Sequence, residues 1–343
     1  MNSEKLLSII IPHLKGKDIL SECLKSIFKY KPPINYEIII VNNNSQDGSI
    51  PYIKEKFENI SIINSNVNKG YAGGCNLGAQ HAKGNYLLFL NNDTTMSEYC
   101  LEYLISKIQE DDKIASVQPK IKNYFNTNMF DYAGASGGYI DYLGYPFSRG
   151  RIFNTIEKDL HQYDDEKKIF WASGTAFITK SKIFHQIDGF DESLFAHMEE
   201  IDYHWKCLSN GYKIYIQPKS VIYHKGGQTL KYGSHQKTYL NHRNSIILFL
   251  TNNKNLSWFI ILKRILLEDM AFLYYLLTGK LKLALAVMKA NLWCVFNINY
   301  LLRRRRKNAN IMSDYKISDK LMVPYSIVKA YFYNQKKKFD QLN

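Results

Sequence analysis

The chain opens on a short unbroken apolar run, Leu6–Pro12 (LLSIIIP). Its isoleucine content and lack of alternation predict a strand buried on both faces. Ile19, Leu20, Cys23, Leu24, Ile27 and Phe28 then recur at the spacing of one helix face, which predicts a helix over Asp18–Tyr30. Tyr36–Val41 (YEIIIV), Ile60–Asn64 and Tyr86–Leu90 predict three further strands, with a short helix at Gly73–Ala82 before the last. Strand and helix alternating in this way imply an α/β fold, a mostly parallel sheet flanked by helices and joined by right-handed crossovers. In such sheets ligands sit at the carboxyl ends of the strands. Here those ends are polar: Asn42-Asn43-Asn44-Ser45-Gln46-Asp47-Gly48 after the second strand and Asn91-Asn92-Asp93 after the fourth.

From about 120 to 170 the pattern weakens and aromatics and glycines take over (Tyr132, Gly134, Gly137, Gly138, Tyr139, Gly144, Tyr145), so irregular structure is expected. Beyond it, Phe170–Thr179 reads as a strand, Met198–Asn210 as a helix, and Lys213–Gln217 and Ser220–Tyr223 as strands. Past Leu240 the apolar stretches Ile246–Leu250, Trp258–Leu267, Met270–Leu277 and Leu281–Leu302 are broken by charges. None reaches the roughly 18–20 uncharged residues of a spanning helix. The expected organisation is 1–240, made of halves 1–95 and 96–240, followed by a basic amphipathic helical region, 241–343.

Charge sharpens that division. The net charge is +14, yet from Leu240 onward there are 18 Lys+Arg against 5 Asp+Glu, so the first 239 residues are nearly neutral. A basic tail points to an anionic partner. Its cations interleave with apolar helices, and the run Arg303–Lys307 adds a polybasic cluster. Helices lying in an anionic membrane surface are therefore expected, and no nucleic acid. An ordinary helical subdomain with a solvated basic face is the plainer alternative. Five scattered cysteines suggest reduced thiols in a cytoplasm, and the first residues lack a signal-peptide layout. The expected location is cytoplasmic, peripheral at the inner face of the plasma membrane. A composition with 45% hydrophobic and 22% charged residues excludes a disordered chain.

Four positions carry chemistry. Asp93, after a buried strand, can hold a divalent cation that neutralises a diphosphate; on local sequence alone, a turn or N-cap aspartate before Ser97 fits slightly better. Asn68–Asn76 (NKGYAGGCN) is a glycine-rich loop that lets a ligand approach backbone at a helix start. It is not G-x-G-x-x-G, which counts against a dehydrogenase. Glu199, Glu200 and Asp202 crowd one helix start, and a neighbour-raised pKa suits one of them to general-base work; carboxylates also simply favour helix N-termini. His224 ends an apolar strand and is a candidate metal ligand. A lone histidine is more often structural, the reading given to His197, His204, His235 and His242.

In order, the stretches SIIIPHLKGKDILSECLKSI, YEIIIVNNNSQDGS, NKGYAGGCNLGAQHAKGNYLLFLNND, WASGTAFITKSKIFHQIDGFDESLFAHMEEIDYHWKCLSNGYKI and VIYHKGG resemble the family 2 glycosyltransferases over about residues 6–250. The similarity is greatest to bacterial, rhamnosyltransferase-like members that build surface polysaccharides. The resemblance implies an inverting hexosyltransferase of the GT-A fold, with a Rossmann-like sheet and a divalent cation, Mg²⁺ or Mn²⁺. The donor would be a nucleotide-diphospho-sugar, dTDP-rhamnose or a UDP-sugar, and the acceptor a glycan or a polyprenyl-linked sugar. It further implies donor contacts from Asn42, Asn44, Asn68, Gly70, Gly74, Asn76, Asp93 and Gly174, a metal on Asp93 and His224, and Glu200 as base, with Glu199 or Asp202 as alternatives. The sequence departs from the family pattern with Asn42 for aspartate, His13-Leu14-Lys15 after the first strand, Asn91-Asn92-Asp93 at the metal motif and Glu199-Glu200 at the base. Those asparagines lend some support to a rival reading, a non-catalytic membrane-associated scaffold on the same fold.

Overall fold

The computed structural model describes residues 6–226 and 233–342. The N-terminal part alternates β1 (Leu6–His13), α1 (Lys17–Lys29), β2 (Asn35–Asn43), α2 (Ser49–Lys56), β3 (Ile60–Ser65), α3 (Gly70–His81) and β4 (Tyr86–Leu90). β5 (Thr94–Met96), α4 (Cys100–Gln109) and β6 (Ile114–Asn123) follow. Four short strands, β7 (Gly138–Asp141), β8 (Pro146–Ser148), β9 (Arg151–Ile152) and β10 (Thr155–Ile156), lead to β11 (Lys167–Lys168), β12 (Ala176–Lys180), α5 (Ser181–Gln186), α6 (Glu199–Ser209) and β13 (Lys213–His224). The rest is helical, α7 (His235–Asn252), α8 (Trp258–Leu277), α9 (Leu281–Phe296) and α10 (Ile298–Ile311), before β14 (Met322–Val323).

The main sheet runs β11-β13-β6-β12-β4-β1-β2-β3, with β5 on β13. β4, β1, β2 and β3 are parallel, as the alternating pattern predicts. Further along the sheet is mixed, because β12 enters antiparallel between β4 and β6. Successive side chains of a strand point to opposite faces, so the isoleucine run of β1 serves two cores. Ile10 packs with Ala72, Cys75 and Ala79 of α3, whereas Ile9 and Ile11 pack with Leu20, Cys23, Leu24 and Ile27 of α1. α3 lies so close to the sheet that a Cβ at Gly78 would stand 2.4 Å from Ile10.

The 120–170 stretch corrects the expectation of irregular structure. β7–β10 form a second sheet, closed at one edge by β14 from the far end of the chain. β5 runs across 95/96 and α7 across 240/241. The C-terminal helices are built into the body. Arg304 of α10 reaches Asp202 of α6 at 2.7 Å and Asp191 at 2.7 Å, with Arg304 and Asp202 buried and Asp191 partly so.

Candidate functional site

The carboxyl ends of β1, β2, β4 and β13, the start of α3 and the start of α6 converge on a cleft of about 420 Å³. Sheet register explains why distant residues meet there. β13 pairs antiparallel with β5, placing His224 opposite Thr94, and the Lys225 N–H donates to the Asp93 carbonyl at 3.0 Å. His224 Nε2 thus lies 3.2 Å from Asp93 Oδ1, while its Nδ1 lies 2.9 Å from Asp131 Oδ1. All three side chains are buried. Burial pulls the His224 pKa down, but the Asp93 and Asp131 carboxylates prevail and lift it to about 10. Asp131, on the far ring nitrogen, was missed by sequence reasoning because nothing local marks it. A carboxylate there orients the ring and aims the other nitrogen at Asp93, an arrangement also seen around metal-bound histidines.

Asp93 and His224 are the side chains that would hold a divalent cation here, the imidazole first giving up the proton that the two carboxylates keep on it. Among the described residues no three His, Cys, Asp or Glu side chains form a metal cage. Two protein ligands leave room for diphosphate oxygens and water, the coordination Mg²⁺ and Mn²⁺ accept.

The start of α6 also contributes to the lining, through Glu199 and Glu200. Phe195, His197 and Met198, just before, hold left-handed backbone at φ 64, 69 and 76°. Non-glycine residues adopt that conformation at a cost and do so preferentially at functional sites. Asn244 of α7 holds the turn by donating its amide to the carbonyls of Leu194 (2.9 Å), Ala196 (3.0 Å) and His197 (2.8 Å). Glu199 Oε2 and Glu200 Oε2 are buried without a hydrogen-bond partner. Burial raises the pKa of both, and the neighbouring Glu200 charge pushes Glu199 further, well above the usual range. His197, read from sequence as structural, lines the cleft with a buried, unpartnered Nε2, and burial lowers its pKa to about 3.

Asp202 is a correction. Its side chain is fully buried and ion-paired with Arg304 and with Lys206 at 2.7 Å, and it does not line the cleft. Burial opposes ionisation, but Arg304 and Lys206 hold its carboxyl well below the usual range. It anchors α6 to α10, away from the cleft lining.

Of the expected donor contacts, Asn68, Gly70, Asp93 and Gly174 line the cleft. Gly70 has φ +70°, and a Cβ there would stand 2.2 Å from the Phe195 carbonyl oxygen, so only glycine fits. Asn42, Asn44, Gly74 and Asn76 do not line it. Asn42 donates to Asn64 at 2.9 Å and accepts from the Ser45 N–H, and Asn44 accepts from Gln46. Gly74 packs against Pro12. Asn76 pairs with both backbone groups of Phe190. These residues are struts of the loops, set by contacts that the sequence does not display. Asn43 and Tyr71 line the cleft in their place: Asn43 accepts from the Lys69 N–H and donates to the Gly70 carbonyl, and the Tyr71 hydroxyl donates to the Gly174 carbonyl at 2.5 Å. His13 and Asn92 complete the floor, with the Asn92 amide 2.8 Å from His13 Nδ1.

A second cavity of about 270 Å³ adjoins the first and shares Ala133, Ser173, His197, Glu200 and Lys237 with it. Its remaining wall includes Tyr132, Arg151 and Trp171, with His242 and Arg264 from the C-terminal helices.

With this geometry in hand, comparison with known proteins is direct. Residues 8–187 match the family model for glycosyl transferase family 2. The poly(ribitol-phosphate) beta-glucosyltransferase of Bacillus spizizenii is 38% identical over 113 residues, covering 31% of this chain but only 18% of that protein. The N-acetylglucosaminyl-diphospho-decaprenol L-rhamnosyltransferase of Mycobacterium tuberculosis is 21% identical over 64% of this chain and 76% of its own length. Among solved structures, GalNAc-T7 with UDP, GalNAc and Mn²⁺ shares the fold, at a TM-score of 0.58 and 18% identity, covering 73% of this chain and 48% of that one. The chain belongs to glycosyltransferase family 2 and has its GT-A fold.

Proposed function

We propose that the chain is an inverting, divalent-cation-dependent glycosyltransferase that moves a sugar from a nucleotide-diphospho-sugar to a hydroxyl of a glycan or lipid-linked acceptor in cell-surface polysaccharide synthesis. The observation that carries this reading is one cleft lined by both the Asp93–His224 pair and the Glu199–Glu200 pair. Asn68, Gly70 and Gly174 line the donor side. A cation held by Asp93 and His224 would supply charge neutralisation for the departing nucleoside diphosphate. Asp131 keeps His224 aimed at Asp93.

Glu200 takes the proton of the attacking hydroxyl. Glu199 lines the donor cleft alone, but Glu200 lines both cavities. It therefore stands where an acceptor in the second cavity meets a sugar in the first. A single displacement assisted by this base inverts the anomeric centre. dTDP-rhamnose and UDP-sugars are the leading donors, supported by the name of the mycobacterial relative and by the UDP bound to GalNAc-T7. The acceptor is met at the inner face of the membrane, where the enzyme is peripheral; among the described residues no single helix is long and apolar enough to cross a membrane.

The test is a panel of dTDP-, UDP- and GDP-sugars with Mn²⁺ or Mg²⁺, read by melting temperature and by release of nucleoside diphosphate. One donor should stabilise the full chain and be turned over only with metal, and Asp93→Ala should abolish both effects. Silence of the whole panel in both readouts would leave the non-catalytic scaffold.

A further inference from the structure

Ala133, Ser173, His197, Glu200 and Lys237 form the boundary at which the two cavities meet. A sugar in transfer sits at that boundary, because its anomeric carbon lies between the diphosphate, near Asp93 and His224, and the acceptor hydroxyl, near Glu200. Most of the boundary is apolar or already engaged. The Ala133 side chain has no polar atom. The Ser173 hydroxyl donates to the Ala133 carbonyl at 2.9 Å and accepts from the Thr175 N–H at 3.2 Å. Glu200 is the base. Lys237 lies 5.2 Å from the centroid of the Tyr132 ring, with the Asp131 charge acting on it. His197 remains. Its Nε2 is buried with no hydrogen-bond partner among the described residues. A buried polar atom in that state is costly and calls for a partner.

The backbone places this ring deliberately. His197 holds φ at 69°, with Phe195 at 64° and Met198 at 76° beside it, a conformation that side chains other than glycine adopt at a cost. Asn244 donates to the His197 carbonyl itself at 2.8 Å. The Phe195 carbonyl accepts from the Ala72 N–H at 3.3 Å, which ties the turn to α3 on the donor side. Burial, reinforced by the Lys237 charge, keeps the imidazole neutral. A neutral imidazole offers one N–H donor and one lone pair. That suits a sugar hydroxyl, which both donates and accepts, and brings no charge to a phosphate.

We propose that His197 determines donor-sugar specificity: its imidazole hydrogen-bonds a hydroxyl of the transferred sugar where that sugar lies across the boundary between the cavities. This rests on the glycosyltransferase reading and gives the sugar, as distinct from its nucleotide, a contact of its own.

The test sets each nucleotide-sugar against its own nucleoside diphosphate. UDP, UDP-glucose and UDP-N-acetylglucosamine, and dTDP and dTDP-rhamnose, are titrated calorimetrically into the full chain with Mn²⁺. His197→Gly removes the ring without straining the backbone, since glycine adopts positive φ freely. It should lower affinity for the nucleotide-sugar that wild type binds about three- to tenfold, the scale of one neutral hydrogen bond. Affinity for the matching nucleoside diphosphate should not change. His197→Asn keeps a neutral donor and acceptor and tolerates left-handed backbone, so it should restore part of the loss. Monodeoxy forms of the same nucleotide-sugar identify the hydroxyl. One of them should bind wild type more weakly than the parent by a similar factor, yet bind His197→Gly as well as the parent does. A histidine that only shapes the turn would not show that coupling. Equal weakening of nucleotide-sugar and nucleoside diphosphate in His197→Gly makes the residue a strut and overturns the proposal. Unchanged affinity for both overturns it as well. A wild-type chain that binds no member of the set fails the donor reading itself, a result distinct from a donor that binds His197→Gly as tightly as wild type.

Discussion

At the scale of single residues, the site separates three carboxylates that the sequence presents as one cluster. Asp202 is held ionised by Arg304 and Lys206, whereas Glu199 and Glu200 are buried without such partners. Environment, not residue type, assigns the role. Glu199 is pushed furthest toward the protonated form, by burial and by Glu200 beside it, which leaves Glu200 the better proton acceptor. Removing a general base costs about 10²–10⁴-fold in rate, so Glu200→Gln should lose turnover on that scale and keep donor binding. The sign of the pH dependence follows. A carboxyl accepts a proton only above its pKa, and burial raises that of Glu200. The rate should therefore fall on the acid side, beginning above the ordinary glutamate value of about 4.3. A pH profile of kcat/KM checks both: near-normal turnover in Glu200→Gln, or a flat acid side in wild type, contradicts the assignment.

At the scale of elements, Arg304 shows what the chain holds in common. It lies on α10 and donates to Asp202 on α6, to Asp191 before α6, and to Asn252 at the end of α7. Removing one member of a buried ion pair costs about 3–5 kcal/mol, because the other charge stays buried and unmatched. Arg304→Gln should lower stability by that order in urea unfolding, and the added change Asp202→Asn should restore part of it. The depressed pKa of Asp202 contributes stability above the ordinary aspartate pKa of about 3.9, lost as pH falls toward the folded-state value. The Arg304→Gln variant should lose less stability on acidification than wild type. The same element shows where sequence reading stops. β1, β2, β4 and α1 were legible because burial on a sheet is written as local apolar runs. β6 was not, because its buried Gln118 and Lys120 look like surface residues until Ser173, Asp159 and Asp164 are seen to pair with them. Asp93, Glu200 and His224 were legible as motifs. Asp131 and Asn244 were not, since each acts through a partner far along the chain.

At the scale of the whole molecule, α8 is amphipathic the wrong way round for a helix in water. Arg264 and Glu268 are each 2% exposed, while Phe259 is 61% exposed, Leu266 53% and Met270 61%. These three fall on one face, with Leu262, Leu273 and Leu277, and α9 continues the surface with Leu281, Leu285, Met288 and Leu292. Contiguous apolar surface of this kind marks an interaction site. Exposed Lys263, Lys280, Lys282 and Lys289 accompany it, as an anionic bilayer would require. The magnitudes rank the two contributions. A fully buried large apolar side chain is worth about 1.5–3 kcal/mol, and a lysine near an anionic surface about 1 kcal/mol. Apolar insertion should therefore dominate, with salt weakening binding and not abolishing it. Truncation at Leu240 is a poor test, because it removes Asn244 and Arg304 and so dismantles the turn before Glu199. Substitution in the full chain avoids this: Phe259→Glu, Leu266→Glu and Met270→Glu together leave the inner face of α8 intact. Wild type should co-sediment with phosphatidylglycerol-containing vesicles at physiological salt, and the triple variant should stay in the supernatant with an unchanged melting temperature. If the triple variant sediments as well as wild type, the face does not enter a membrane.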